Sequence, residues 1–237
     1  MNILITNDDG IDSDGIRRLA ECARKFGEVW VVAPSAQNSA VSHSITLRHS
    51  IEVHPHDFSV ANVKAYSCSG TPGDCVRVGS LCIMDNKPDV VLSGINFGVN
   101  VASDIQYSAT AGAAFEAEFQ GCHAIAVSEA ATDRHEVTDK FLFKILEELI
   151  YEPYVEGEIW NVNFPGCSLD ECRGILRDRK VSRKAYFKDH YNLLKRFPDG
   201  GMELMVEGIH TPAEEKDTDY AAVLGNFISI GKVKNIR

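Results

Sequence analysis

Four short polar stretches carry the residues best suited to chemistry. The first, Thr6-Asn7-Asp8-Asp9-Gly10, follows directly on the apolar run Asn2-Ile3-Leu4-Ile5. Two carboxylates brought together repel unless a cation or a proton lies between them. Neighbouring side chains in a strand point to opposite faces, so Asp8 and Asp9 converge only where the backbone leaves extended geometry, which Gly10 permits. The second stretch is Ser93-Gly94-Ile95-Asn96-Phe97-Gly98-Val99-Asn100. Gly94 and Gly98 would let backbone N–H groups approach an anion, and the Asn96 side-chain oxygen can ligate a hard metal. In the third, Tyr107-Ser108-Ala109-Thr110-Ala111-Gly112, hydroxyl residues precede a helix of small side chains. Ser108 or Thr110 can cap that helix, and its exposed first N–H groups also suit a phosphate. The fourth runs over 34–44 and holds Asn38, Ser39, Ser42 and His43. Each stretch alone is equally well an ordinary turn or cap; four at one sheet edge are harder to dismiss. Oxygen donors from Asp, Asn and Ser, without Cys or clustered His, suit Mg²⁺, Mn²⁺ or Ca²⁺ and not structural zinc.

The elements that must position these residues follow from hydrophobic periodicity. Residues 2–6 read as a buried strand. Ile16, Leu19, Ala20 and Ala23 then mark one face of a helix over 15–26, stopped by Gly27, and 28–33 is a second apolar strand. This strand–helix–strand unit predicts a parallel sheet with a right-handed crossover. Further strands are expected over 47–53, 63–68, 89–93, 123–128 and 159–162, with helices over 72–84, 109–120 and 139–150. The strand over 89–93 is apolar enough to be central. In a doubly wound sheet the ligand crevice lies at the C-terminal strand ends, where all four polar stretches fall. After Pro165-Gly166 the character changes. Four Arg and three Lys lie between Arg173 and Lys188, interleaved with Tyr186 and Phe187, and a Pro198-Asp199-Gly200-Gly201 turn leads into 202–206. The expectation is an α/β core over 1–165 and an extension over 166–237 that carries a β-hairpin arm.

Composition narrows the partners. A formal net charge of −10 argues against stable binding of nucleic acid, which depends on Lys and Arg neutralising phosphates. A small anionic substrate is compatible, since a bound cation reverses the potential locally. The longest apolar runs fall far short of the roughly 20 residues of a membrane span. No basic-then-apolar leader precedes the first strand, which predicts a cytoplasmic protein. Seven cysteines, an odd number without zinc-ligand spacing, read as free thiols.

Taken in order, Ile3-Leu4-Ile5-Thr6-Asn7-Asp8-Asp9-Gly10, Ser39, Gly70-Thr71-Pro72-Gly73-Asp74-Cys75, Ser93-Gly94-Ile95-Asn96-Phe97-Gly98 and Tyr107-Ser108-x-Thr110 resemble the motifs of the SurE (survival protein E) family. The run Asp217-Thr218-Asp219-Tyr220-Ala221-Ala222-Val223 resembles its C-terminal motif. Departures at Ala36, Asn38, Ala40, Ala109 and Ala111 sit beside the site and leave its metal-ligating types in place. The resemblance implies a Rossmann-like three-layer α/β/α fold with a mostly parallel sheet. It implies a 5′-nucleotidase that also takes 3′-nucleotides and short polyphosphates, and one divalent cation, Mg²⁺ or Mn²⁺. It assigns Asp8, Asp9, Ser39 and Asn96 to the metal and Ser108 and Thr110 to the phosphate, and it implies a homodimer, possibly a tetramer, built through the arm.

The expected chemistry is metal-assisted hydrolysis of a nucleoside monophosphate. Asp8 or Asp9 would orient or deprotonate water, while N–H groups near Gly94 and Gly98 and at the Thr110 helix start stabilise the phosphoryl oxygens. A covalent aspartyl-phosphate route is the variant. Two other readings compete: a nucleotide-sensing module without turnover, and an exopolyphosphatase or nuclease that holds a polyanion on the basic arm. No aromatic box for a base is evident in the named loops, so the phosphate should matter more than the base.

Overall fold

In the computed structural model, which describes residues 1–212 and 215–235, the first apolar run forms β1 (Asn2–Thr6) in the interior of a nine-stranded sheet. It is followed by α1 (Asp14–Ala23) and β2 (Glu28–Pro34), and β2 pairs in parallel with β1 as the strand–helix–strand pattern requires. Next come β3 (Val53–Pro55), β4 (Val63–Cys68), α2 (Pro72–Val78) with a π-helical turn after it, and β5 (Val90–Phe97). A 3-10 turn (Ala102–Tyr107), α3 (Ala109–Phe119), β6 (His123–Glu129), α4 (Glu136–Leu149) and β7 (Glu158–Phe164) complete the body's first pass. The remainder is β8 (Ile175–Leu176), β9 (Phe187–Arg196), β10 (Met202–His210), α5 (Asp219–Leu224) and β11 (Ile228–Lys234).

Strand order in the main sheet is β3-β4-β2-β1-β5-β6-β7-β11-β8, and the six strands from β4 to β7 are mutually parallel. Side chains alternate between two cores, as strand geometry dictates. Ile3, Ile5, Val29, Val31, Val90 and Leu92 pack under α1 and α4. Leu4, Trp30, Val32 and Val91 pack on the other face against α2 and α3. The result is the expected three-layer α/β/α arrangement. Because β2 lies on one side of β1 and β5 on the other, the chain reverses its winding direction at β1. The crevice of a doubly wound sheet opens at such a switch point, beyond the ends of β1 and β5.

Two expectations need correction. Of the strand expected over 47–53 only Val53 pairs with β4, at the start of the observed Val53–Pro55. Just before it the Glu52 N–H donates to the Ser69 hydroxyl, and the Thr46 N–H at the segment's start is held by Asp74. The basic stretch is not the arm. Arg173 lies over the Phe227 ring, Arg177 pairs with Glu148 and Arg179 with Asp217, which hold the segment on the body. The arm is the β9–β10 hairpin, which forms its own two-stranded sheet. Finally, the expected extension over 166–237 includes a strand of the main sheet. β11 returns to the main sheet antiparallel to β7, where Ile228 and Ile230 are fully buried in the core.

All seven cysteines are free thiols. No helix among the described residues is long and apolar enough to cross a membrane.

Candidate active site

Asn7 is fully buried at the end of β1, and its amide donates to the Gly10 carbonyl at 2.9 Å and to Ser13 Oγ at 2.8 Å. These bonds close the acidic turn, in which Gly10 takes the left-handed φ of 99° that the bend needs. Asp8 is 4% exposed and accepts a 2.8 Å hydrogen bond from the Thr110 hydroxyl. Burial, and secondarily the charge of Asp9, push its carboxyl up to about 6 despite that bond. Asp9 Oδ2 accepts from the Phe97 N–H at 2.9 Å and ties the β1 turn to the end of β5. Burial raises its pKa as well. No Lys, Arg or His among the described residues offsets either charge.

The loop after β2 is laid across this turn by the Asn38 N–H, which donates to the Asp8 carbonyl at 2.7 Å. It continues over α3, where Gly112 is required by contact: a Cβ there would lie 2.6 Å from the Ser42 carbonyl oxygen. Ser39 Oγ accepts from the Gln37 amide at 3.1 Å. His43 does not join the site, since it bonds the buried Glu116 at 2.7 Å. The Gly70–Cys75 motif is likewise structural: Thr71 and Asp74 form a reciprocal capping box on α2, and Asp74 holds Thr46.

Asp8, Ser39, Asn96 and Ser108 line one cavity of about 530 Å³. Asn96 donates its amide to the Gly98 carbonyl at 2.6 Å, which commits the NH₂ end and leaves the carbonyl oxygen as the side chain's acceptor. Ser108 caps α3, its Oγ accepting from the Ala111 N–H at 3.0 Å, and its hydroxyl proton remains available to a ligand. At the start of α3, next to Ser108, the Ala109 and Thr110 N–H groups have no intrahelical acceptor, while that of Ala111 is held by Ser108. Asp9 opens instead on an adjoining cavity with Glu129 and His135, with Phe97 lining both.

Three sequence-predicted residues sit elsewhere. Thr110 is fully buried and spends its hydroxyl on Asp8. The Gly98 N–H donates to the Glu129 carbonyl at 2.8 Å, so it faces β6 and not an anion. Gly94, at φ 142°, lies where a Cβ would meet the Val127 carbonyl oxygen at 2.1 Å. These glycines bring β5 close to β6 and shift the pairing register between Ser93 and Asn96.

Asp219, quoted above only as part of a resemblance, has a visible role. Its buried carboxylate accepts from the N–H groups of Ala102 at 3.1 Å, Ser182 at 3.0 Å and Tyr220 at 2.7 Å. It fastens the cavity's 3-10 turn and the approach to the arm onto α5. Ala185, Phe187 and Asp189 from the arm's root complete the cavity wall. Nothing in sequence spacing pointed to them.

The donor set fits a hard divalent cation. A buried carboxylate (Asp8), a half-buried one (Asp9), an amide oxygen and a hydroxyl lie around the ends of β1 and β5. No group of three or more His, Cys, Asp or Glu able to hold a metal occurs among the described residues, so neutral oxygens would have to complete any shell.

The survival protein SurE family model matches residues 3–186. The chain belongs to the SurE family. It is 42% identical over 234 residues to 5′-nucleotidase SurE of Clostridium botulinum (strain Loch Maree), covering 97% of this chain and 91% of that one. Against 5′/3′-nucleotidase SurE of Cronobacter sakazakii it is 38% identical over 235 residues, with 97% and 88% covered. The crystal structure of the SurE protein from Aquifex aeolicus superposes with a TM-score of 0.82 at 32% identity, covering 99% of this chain and 93% of that one. This SurE chain therefore shares both sequence and architecture with its relatives along nearly its whole length.

Proposed function

We propose that this SurE chain is a divalent-metal-dependent nucleotidase that hydrolyses nucleoside 5′-monophosphates to nucleoside and phosphate. The observation that carries the reading is the cavity at the switch point. It brings a buried, uncompensated carboxylate, Asp8, together with Asn96, Ser39 and the capped start of α3. Asp8, Asp9, Asn96 and Ser39 would hold the cation, Mg²⁺ or Mn²⁺. When bound, such a cation supplies Lewis acidity to a phosphoryl oxygen and makes water a better nucleophile. The chain's own residues do the rest. Ser108 and the free N–H groups of α3 receive the phosphoryl oxygens, which favours charge as it develops there. Thr110 holds Asp8 in one orientation. Asp9, fixed by the Phe97 N–H, is placed to orient or accept a proton from water.

Monophosphates are the preferred class, because one helix start serves one phosphoryl group; 3′-nucleotides and short polyphosphate are secondary. The apolar residues of the isolated hairpin, including Leu193, Leu194, Met205 and Ile209, are exposed. A lone two-stranded ribbon is marginal in water, so the arm is proposed to join two copies in a homodimer that can pair further. Release of inorganic phosphate from a panel of monophosphates, with Mn²⁺, with Mg²⁺ and with excess chelator, tests the reading. Full activity in chelator would sink the metal; no release from any monophosphate would sink the nucleotidase.

A further inference from the structure

We infer that Phe97, Tyr107 and Phe187 form the nucleobase-binding rim of the cavity, so that the root of the arm reads the base while the buried end holds the phosphate. The inference rests on the nucleotidase reading above and extends it to the other half of the substrate.

The cavity is polarised by depth. Its buried end is Asp8 and Ser108, 4% and 8% exposed, whereas the rings of Phe97, Tyr107 and Phe187 are 54%, 64% and 39% exposed. A volume of about 530 Å³ exceeds what a cation and a phosphate fill, and lies within the range of whole small-molecule sites. Three exposed rings around one opening cost solvation unless something flat covers them, and every nucleobase offers a π-face for that purpose.

The backbone that carries each ring is anchored, and the Phe187 ring is itself packed. The Phe97 N–H is bound to Asp9 Oδ2, so its backbone is set by the acidic turn. The Tyr107 carbonyl accepts from the Ser42 N–H at 3.0 Å, which fixes it to the Ser39 loop. The Phe187 N–H donates to Asp104 Oδ2 at 3.0 Å, and its ring lies 4.7 Å from Tyr186 and 4.5 Å from His210, centroid to centroid. Tyr186 in turn packs at 5.0 Å on the fully buried Tyr220. Preorganised rings surrender little entropy when a base stacks on them. Base recognition then falls to one ring from the end of β5, one from the turn before α3 and one from the arm, which explains why no aromatic box is visible in any one stretch of sequence.

The test compares adenosine 5′-monophosphate with ribose 5-phosphate, which carries the same phosphate ester without the base. Wild type should favour the nucleotide by at least about tenfold in kcat/KM. Phe187→Ala and Tyr107→Ala should each cut that preference by about five- to tenfold, mainly through KM, the size of one base–aromatic stack. Phe187→Trp, which keeps a stacking ring, should restore it. Adenosine alone should inhibit competitively and lose affinity in the same two alanine variants. An unchanged preference in both, or parallel loss on both substrates without rescue by Trp, would overturn the rim. Failure of wild type to hydrolyse either substrate would fell the nucleotidase reading instead, and adenosine binding would still report on the rim.

Discussion

Asp8→Asn should stabilise the metal-free protein while abolishing its function. The substitution keeps the shape of the side chain, and the amide oxygen can still accept from Thr110, which now lies 2.8 Å away. What disappears is an ionised group held in a buried place. Moving a carboxyl from its ordinary 3.8 to about 6 corresponds to about 3 kcal/mol at neutral pH, an upper figure because neighbouring groups relax. The sign follows from linkage. With its pKa raised in the folded state, Asp8 favours folding when protonated, fully so below 3.8, and loses that contribution as pH rises through about 6. In excess chelator, urea unfolding at pH 7.5 should therefore show the variant more stable than wild type by up to about 3 kcal/mol. At pH 5 the gap should shrink to about half. Adding Mn²⁺ should reverse the order, since a ligand at free concentration L that binds only the folded state stabilises it by RT ln(1 + L/Kd), which is larger for the tighter-binding wild type. A variant no more stable than wild type at pH 7.5 in chelator would show that Asp8 is not an electrostatic burden. Equal stabilisation of both proteins by Mn²⁺ would remove Asp8 from the metal site.

Asp9→Asn should lower phosphate release from adenosine monophosphate by at least about 100-fold, as loss of a charged ligand implies, whereas Ser39→Ala should cost less because water can replace a neutral hydroxyl; steady-state rates at saturating Mn²⁺ decide between them. Asp219→Ala strands three backbone N–H groups in a buried place and should cost at least about 2 kcal/mol in urea unfolding, with Asp219→Asn milder. Deleting 187–210 should convert an oligomer to monomers by light scattering. A 26.1 kDa particle for the intact chain at micromolar concentration would refute the arm's proposed role.

Much of the body was legible because its signals are local. Ile16, Leu19, Ala20 and Ala23 recur at helical spacing and all four are buried against the sheet. The apolar run at Val90–Leu92 lies fully inside the parallel sheet, as its composition required. The misread segments are those whose partners lie far along the chain. Residues 47–52 read as a strand, but the Glu52 N–H goes to the Ser69 hydroxyl and Asp74 takes the N–H of Thr46 just before them. The Arg173–Lys188 stretch alternates like an arm, yet Glu148, Asp217 and Phe227 fix it to the body. Charge pattern alone cannot distinguish a solvated face from a set of distant ion pairs.

The same limit acts inside the site and shapes its chemistry. Residue types identified the cavity, since Asp8, Ser39, Asn96 and Ser108 do meet there. Residue types did not reveal which polar atom each one engages. A threonine at a helix start beside a phosphate site reads as a phosphate ligand, but Thr110 lies one residue inside the helix and points at Asp8 across 102 residues of chain. Ser108, at the cap, lines the cavity. The division has a physical logic. A hydroxyl at the cap can serve both the helix and an incoming anion, because it accepts from one and donates to the other. At the second residue of the helix, fully buried, Thr110 has no water to donate to and gives its hydroxyl to the Asp8 carboxylate. Thr110 thereby offsets part of the burial that raises Asp8 and holds one of its oxygens.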